Sequence, residues 1–203
     1  MKRLAPVLAA IVLSAAAAAA ASTPPADPVA ARQVKAEFLH AWLGYRRDAW
    51  GHDELRPLIR KPYDWYGTSL LMTPIDALDT LVLMGLKREA RDDRDLIAER
   101  LDFDKDISVK TFEITIRLLG GLLSGYELTR DKRLLAKARD LGERLLSAFN
   151  SPTGLPNPYI NLRTGKPSGV DSNPAETGSL ILEFGTLSKL TGDPVYFQKA
   201  KRA

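Results

Sequence analysis

Cysteine is absent from the 203 residues, histidine occurs twice, and aromatic residues make up 7% of the chain. Without cysteine there are no disulfides and no lipid-anchored cysteine, so stability has to come from a hydrophobic core. No spacing of acids and histidines matches a zinc site or a calcium-binding loop. Charge of one sign is also lacking: 29 Lys and Arg face 25 Asp and Glu, a net charge of +4. That mixed surface gives no support to nucleic-acid binding.

The one long apolar run opens the chain and is mostly alanine. Met1-Lys2-Arg3 is a short positive head, the run continues to Ala21, and Ser22-Thr23-Pro24-Pro25 follows. This pattern is that of a cleaved secretory signal over residues 1–21, and alanine is too weakly hydrophobic to favour a retained membrane span. Its removal takes away Lys2 and Arg3 and leaves a net charge of +2. A cysteine-free exported chain suits a bacterial periplasm or secretion, with no membrane attachment after cleavage. Residues 22–27 read as a flexible lead-in, and the remainder is long enough for one sizeable core.

That remainder reads as helices joined by loops. Asp27-Pro28 starts a helix to about Trp50, with Val34, Phe38, Trp42 and Tyr45 on one stripe. Thr73-Pro74-Ile75-Asp76 resembles a capping box and opens a helix to about Arg91, with a shorter helix over 93–101. Leu101 to Lys110 is a connection. Thr111 to Leu128 is an apolar helix in which Gly120-Gly121 permits close packing. Asp131 to Phe149 is amphipathic, with Leu134, Leu135, Ala138, Leu141 and Leu145 inward. Ser151 to Asp171, rich in Pro, Gly and Asn, is a loop with room for a short hairpin. Asn173-Pro174 and Asp193-Pro194 open two more helices.

Leu128-Thr129-Arg130-Asp131 followed by Lys137-Ala138-Arg139 recurs as Leu190-Thr191-Gly192-Asp193 followed by Lys199-Ala200-Lys201. Each unit holds an apolar helix, a tight turn and an amphipathic helix. Buried inner helices and half-exposed outer ones define an all-α toroid of the α/α kind. An α-solenoid, whose repeats are typically shorter, and a chance shared boundary are the competing explanations.

Within FEITIRLLGGLL, Phe112 to Leu123, Glu113 and Arg117 stand four residues apart and share a helix face. A carboxyl in such apolar surroundings is either a satisfied structural ion pair or a working acid. Glu176 lies at the matching position of the second repeat, so both acids fall near the start of an inner helix. Asp76 and Asp79 of IDALDTL lie near the start of the preceding one. Glu176 and Asp76 are also where capping acids would sit, and Asp79 where a buried hydrogen-bonding residue would. His52 and Asp53 fix a loop near the rim, with a sugar contact as the other role of either, and His40 reads as a packing residue. Trp42, Trp50 and Trp65 fit core packing or stacking on sugar faces.

Taken together, HAWLGYRRDAWGHDEL (40–55), TPIDALDTLVLMGL (73–86), FEITIRLLGGLLSGYELTRD (112–131), LPNPYINLRTG (155–165) and AETGSLILEFGTLSKLTGD (175–193) resemble glycoside hydrolase family 47, the class I α-1,2-mannosidases. The resemblance implies an (α/α)7 barrel that removes α-1,2-linked mannose from oligosaccharides with inversion, using calcium. It places the general acid on Glu113, in the FE-x-x-IR motif, and sugar contacts on Arg117 and Glu176. An inverting pair of carboxyls stands roughly 6.5–9.5 Å apart, and the acid needs a raised pKa, which a direct bond from Arg117 opposes. The family's base, a second essential carboxylate and its calcium-binding threonine belong to its later half. Residues 28–203 are therefore expected to be the N-terminal part of the barrel, a monomer lacking the calcium ligand, poorly soluble and without hydrolysis. A mannose-recognising protein without turnover and a helical scaffold for protein partners are the alternatives.

Overall fold

A computed structural model describes residues 27–203. The expected signal, and the lead-in apart from Asp27, lie outside the described residues. Packing divides the chain into a unit ending at His40 and a second unit, Ala41–Ala203. Helix α1, Pro28–Asp48, begins where Asp27 accepts the Val29 amide at 2.8 Å. In the first unit Val34 is exposed and so is His40, which is not a packing residue. In the second, Trp42 and Tyr45 are buried, so only the end of the expected stripe is core.

The second unit opens with a hairpin of β1, Glu54–Arg56, and β2, Lys61–Tyr63, paired antiparallel. Helix α2, Met72–Leu83, and α3, Lys87–Arg100, follow. The expected capping box is absent. Leu71 precedes α2 in the left-handed region, φ 56°, and makes no side-chain cap. The Thr73 hydroxyl instead donates to the Asp53 carbonyl at 2.7 Å. The expected helix to Arg91 is also broken earlier, at Gly85, whose φ of 67° ends it with no steric cost.

A nearly unbroken inner rod then runs from α4, Thr111–Ile114, through a π turn, Thr115–Leu119, into α5, Gly120–Thr129. Its outer partner is α6, Lys132–Leu145, which tightens into a 3-10 turn, Leu146–Phe149. Strand β3, Ser108–Lys110, lies within the expected connection. It pairs with β4, Tyr159–Asn161, which pairs in turn with β5, Pro167–Ser168. The expected hairpin is thus two strands of a three-stranded sheet. The last elements are α7, Pro174–Gly178, α8, Ile181–Thr191, and α9, Pro194–Arg202. No helix among the described residues is long and apolar enough to cross a membrane.

Two layers result. The apolar helices α2, α5 and α8 pack side by side, while α3 and α6 lie against them and against each other. Leu78, Leu118, Leu122, Leu134, Leu141 and Phe184 join the layers, each at most 1% exposed. The sequence repeat is reproduced atom by atom at the turns. Thr129 and Thr191 each bond back four residues, to the Gly125 and Leu187 carbonyls at 2.6 and 2.7 Å. Arg130 and Gly192 take left-handed φ values of 60° and 78°. Asp131 and Asp193 then cap the outer helices by accepting the amides of Arg133 and Val195 at 3.0 and 2.9 Å.

The paired glycines serve two different neighbours. A Cβ on Gly121 would lie 2.8 Å from the Ile75 carbonyl and 2.6 Å from Ile75 Cγ2, whereas one on Gly120 would face Glu183 of α8 at 3.5 Å. Gly121→Ala is expected to lower stability by about 1–3 kcal/mol, because backbone must move to admit the methyl. Arg130→Gly is expected to raise it by up to ~1 kcal/mol, since it relieves a left-handed non-glycine. Urea unfolding midpoints check both signs.

Candidate functional site

The inner rod starts under tight local control. The Thr111 amide donates to the Pro158 carbonyl at 2.9 Å, the Thr111 hydroxyl to the Asn157 carbonyl at 2.8 Å, and the Lys110 amide to the Tyr66 hydroxyl at 3.2 Å. Glu113 sits in the first turn. The widened π turn that follows carries Arg117, and such turns re-aim the side chains within them. Arg117 Nε donates to Glu113 Oε2 at 2.9 Å, and Nη1 donates across to Asp76 Oδ2 of α2 at 3.2 Å. The guanidinium also lies 5.3 Å from the centre of the Trp65 ring, within cation–π range.

These groups are half-buried rather than sealed: the side chains of Glu113, Arg117 and Asp76 are 26%, 37% and 38% exposed. An ion pair this open contributes little to stability, roughly 0–1 kcal/mol, so the arrangement is not explained by stability alone. Burial pushes the Asp76 carboxyl above its ordinary pKa, although the field and bond of Arg117 pull it back. Partial burial lowers the Arg117 guanidinium's pKa, but the bond to Glu113 and the field of Asp76 outweigh it and hold the group cationic.

A second cation joins the third acid. Lys110 Nζ donates to Glu176 Oε1 at 2.6 Å. That bond holds the Glu176 carboxyl below the usual range, while the Lys110 ammonium, raised mainly by the same bond, also feels the field of Glu113. Beside the pair opens a cavity of about 370 Å³, bordered by Tyr159, Val170, Asp171 and Asn173. Glu176 is not needed as a cap, because the Asn173 side chain accepts its amide at 2.9 Å.

Asp53 and Asp79 are engaged in structure. Asp53 is fully buried, and its carboxylate accepts the amides of Leu70, Trp65 and Met72 at 2.6, 3.1 and 3.2 Å and the Ser69 hydroxyl at 3.3 Å. His52 and the Asp53 amide meet the two oxygens of Asp64, each at 3.0 Å. Asp79 accepts the Ser124 hydroxyl at 3.0 Å and thereby ties α2 to α5. Among the tryptophans, Trp42 and Trp50 pack with Tyr45, and only Trp65 reaches the site.

Among the described residues no three acids or histidines gather into a cation cage. Glu113 and Asp76 are already bridged by a guanidinium, so these residues do not fit a calcium ion. Lys110 was not read from sequence as a site residue. Its signal, a cation three positions before an acid, is common on any surface, and only β3 and α7 bring it to Glu176.

Glu113 and Asp76, near the starts of two inner rods, share one guanidinium, and Glu176 on α7 is held by an ammonium, all within one α/α double layer. The profile of glycosyl hydrolase family 47 matches residues 37–203. The chain is 47% identical over 184 residues to the mannosyl-oligosaccharide 1,2-alpha-mannosidase MNS1 of Arabidopsis thaliana, covering 88% of this chain and 33% of that protein. It is 49% identical over 167 residues to the human endoplasmic reticulum mannosyl-oligosaccharide 1,2-alpha-mannosidase, covering 80% of this chain and 24% of that one. The solved alpha-1,2-mannosidase from Trichoderma reesei superposes with a TM-score of 0.81 at 34% identity, over 87% of this chain and 40% of that chain. The chain belongs to glycoside hydrolase family 47, and its helical double layer is part of that family's (α/α)7 barrel. It spans a third or less of the length of these two curated relatives.

Asp53→Ala is expected to cost more than about 2 kcal/mol, because several buried amides lose their acceptor at once. Urea unfolding measures it, and a change below 0.5 kcal/mol, on the order of an ordinary surface substitution, would contradict the structural assignment.

Proposed function

We propose that this chain supplies the acid-bearing part of a calcium-dependent, inverting α-1,2-mannosidase, with Glu113 as general acid and Arg117 and Glu176 contacting the sugar. The observation that carries the reading is the convergence of rod starts: Arg117 touches acids of two neighbouring rods, and Lys110 holds the acid of the third beside them. Half-buried acids with a cation between them suit the hydroxyls of a mannose-containing oligosaccharide. Trp65, beside Arg117, offers an apolar face for a sugar ring.

In the reaction Glu113 gives its proton to the oxygen of the departing sugar while water attacks the opposite face of the ring. The bond from Arg117 Nε occupies Glu113 Oε2 and has to be given up before that step. On this reading an incoming sugar draws the guanidinium onto its own hydroxyls and frees Glu113 to hold a proton. Asp76, bonded to the same guanidinium at 3.2 Å, keeps Arg117 beside the rod start while it leaves Glu113. On this reading the base and the calcium ligand belong to the family's later half, and these 203 residues by themselves are proposed to be inactive. The protein is further proposed to be exported through its leader and to act as a monomer.

The Glu113–Arg117 bond equally favours a second reading, recognition of mannose glycans without turnover, which predicts disaccharide binding but no released mannose in the full-length protein. The test is hydrolysis of an α-1,2-linked mannose disaccharide with calcium. Glu113→Gln in the full-length protein is expected to lower kcat by about 10²–10⁴ with little change in KM. Proton NMR should show the β anomer of mannose released first. Undiminished turnover by the variant would overturn the assignment, and robust calcium-dependent release by the 203-residue chain would overturn its proposed inactivity.

A further inference from the structure

Helix α3 carries an acid where its apolar stripe should continue. Ala90, Leu96 and Ile97 are buried on one face, and Asp93 stands among them at 0% exposure. Among the described residues neither carboxyl oxygen has a hydrogen-bond partner, and neither is reachable by solvent. A buried, unpaired carboxylate is among the costliest groups a fold can hold. This one belongs neither to the acid cluster around Arg117 nor to the Asp53 loop.

The surrounding groups do not rescue the charge. From α1, Tyr45 faces it, but the Tyr45 hydroxyl donates to the His52 carbonyl at 2.6 Å. Among the described residues, Arg46 is the cation whose field acts on Asp93. Its guanidinium is engaged elsewhere, with Asp92 at 3.1 Å, Glu89 at 3.5 Å and the Trp50 ring at 4.7 Å. Asp53, in the loop after α1, adds negative charge around Tyr45. Among the described residues, α2 and α6, which also pack on α3, bring no charge to bear on Asp93.

We propose that Asp93 is held protonated in the folded protein, so that the packing of α3 on the end of α1 is an acid-favoured contact that loosens as pH rises. Burial displaces the carboxyl well above its ordinary value, and Arg46 offsets this only in part. The sign follows from linkage. Below about pH 4, the unfolded value, both states hold the proton and no penalty exists. Above it the unfolded chain ionises while the folded chain does not, so stability falls as pH rises through the folded value. The acids with depressed values, such as Asp95 and Asp131, act in the opposite sense at low pH, so the comparison must be with a variant that lacks only this proton.

Urea unfolding of the full-length protein and of its Asp93→Asn variant between pH 5 and pH 8 tests the inference. The native unfolding constant is expected to rise by at least about tenfold relative to the variant, the factor that one unit of displacement gives. Parallel pH profiles would overturn it. Near-ultraviolet dichroism of the Trp42–Tyr45–Trp50 cluster should weaken with pH in the native protein and stay level in Asp93→Asn. Should Asp93→Asn not fold, Asp93→Leu takes its place and is expected to be the more stable protein at pH 8; lower stability there would contradict the proposal. Infrared spectra of the native protein at neutral pH give an independent reading, since the protonated carboxyl C=O band must be present and must vanish in either variant. Its absence would refute the inference.

Discussion

Arg117 carries one positive charge and serves two carboxylates on different helices. Everything distinctive about the site follows from that shortage. One guanidinium cannot satisfy Glu113 and Asp76 fully, so negative charge is left over at the starts of neighbouring rods, open to solvent, where a polyhydroxylated ligand can complete the hydrogen bonding. The π turn makes the sharing possible by widening the rod at Arg117. Gly121, the second residue past the turn, lets α2 approach until Asp76, next in sequence to Ile75, comes within reach. Remove the close approach and Arg117 would serve Glu113 alone, an ordinary i,i+4 pair.

The scaffold around this cluster divides its tasks. Asp53 spends its carboxylate on the loop that leads into α2, and so fixes where Asp76 begins. Asp131 and Asp193 spend theirs on the starts of outer helices, and Asp79 joins two inner ones. Glu113, Asp76 and Glu176 differ in having side-chain cations rather than backbone amides as the partners of their carboxylates. Backbone amides arrayed around a carboxylate make a fixed structural contact, while a guanidinium or ammonium on a flexible stem can be exchanged for substrate.

Much of this was legible in the sequence because it follows from short-range rules. The Thr-x-Asp turns, the caps at Asp131, Asn173 and Asp193, and the i,i+4 relation of Glu113 to Arg117 depend only on neighbours within one or two turns. The repeat of an apolar and an amphipathic helix extended that reading to the double layer, and the family resemblance, carried on motifs spread over the chain, extended it to the (α/α)7 barrel. What was not legible depends on tertiary partners. Thr73 looked like a cap until Asp53 claimed its hydroxyl, and the helix expected to reach Arg91 is ended by Gly85. Strand β3 forms only because β4 returns beside it. Lys110 and Asp93 left no trace in the pattern: the first is a common surface cation, and the second is one acid among many in a highly charged helix whose register decides that it points inward.

The central claim is that Arg117 yields Glu113 to an arriving sugar. The most direct measurement is the NMR signal of the Arg117 Nε–H in the labelled full-length protein as an α-1,2-linked mannose disaccharide is added. The account predicts that this signal leaves its carboxylate-bonded position and that the Glu113 side-chain carboxyl resonance moves toward its protonated form. A sugar that binds while both resonances stay in place would show the pair to be permanent, and the acid role of Glu113 would be lost.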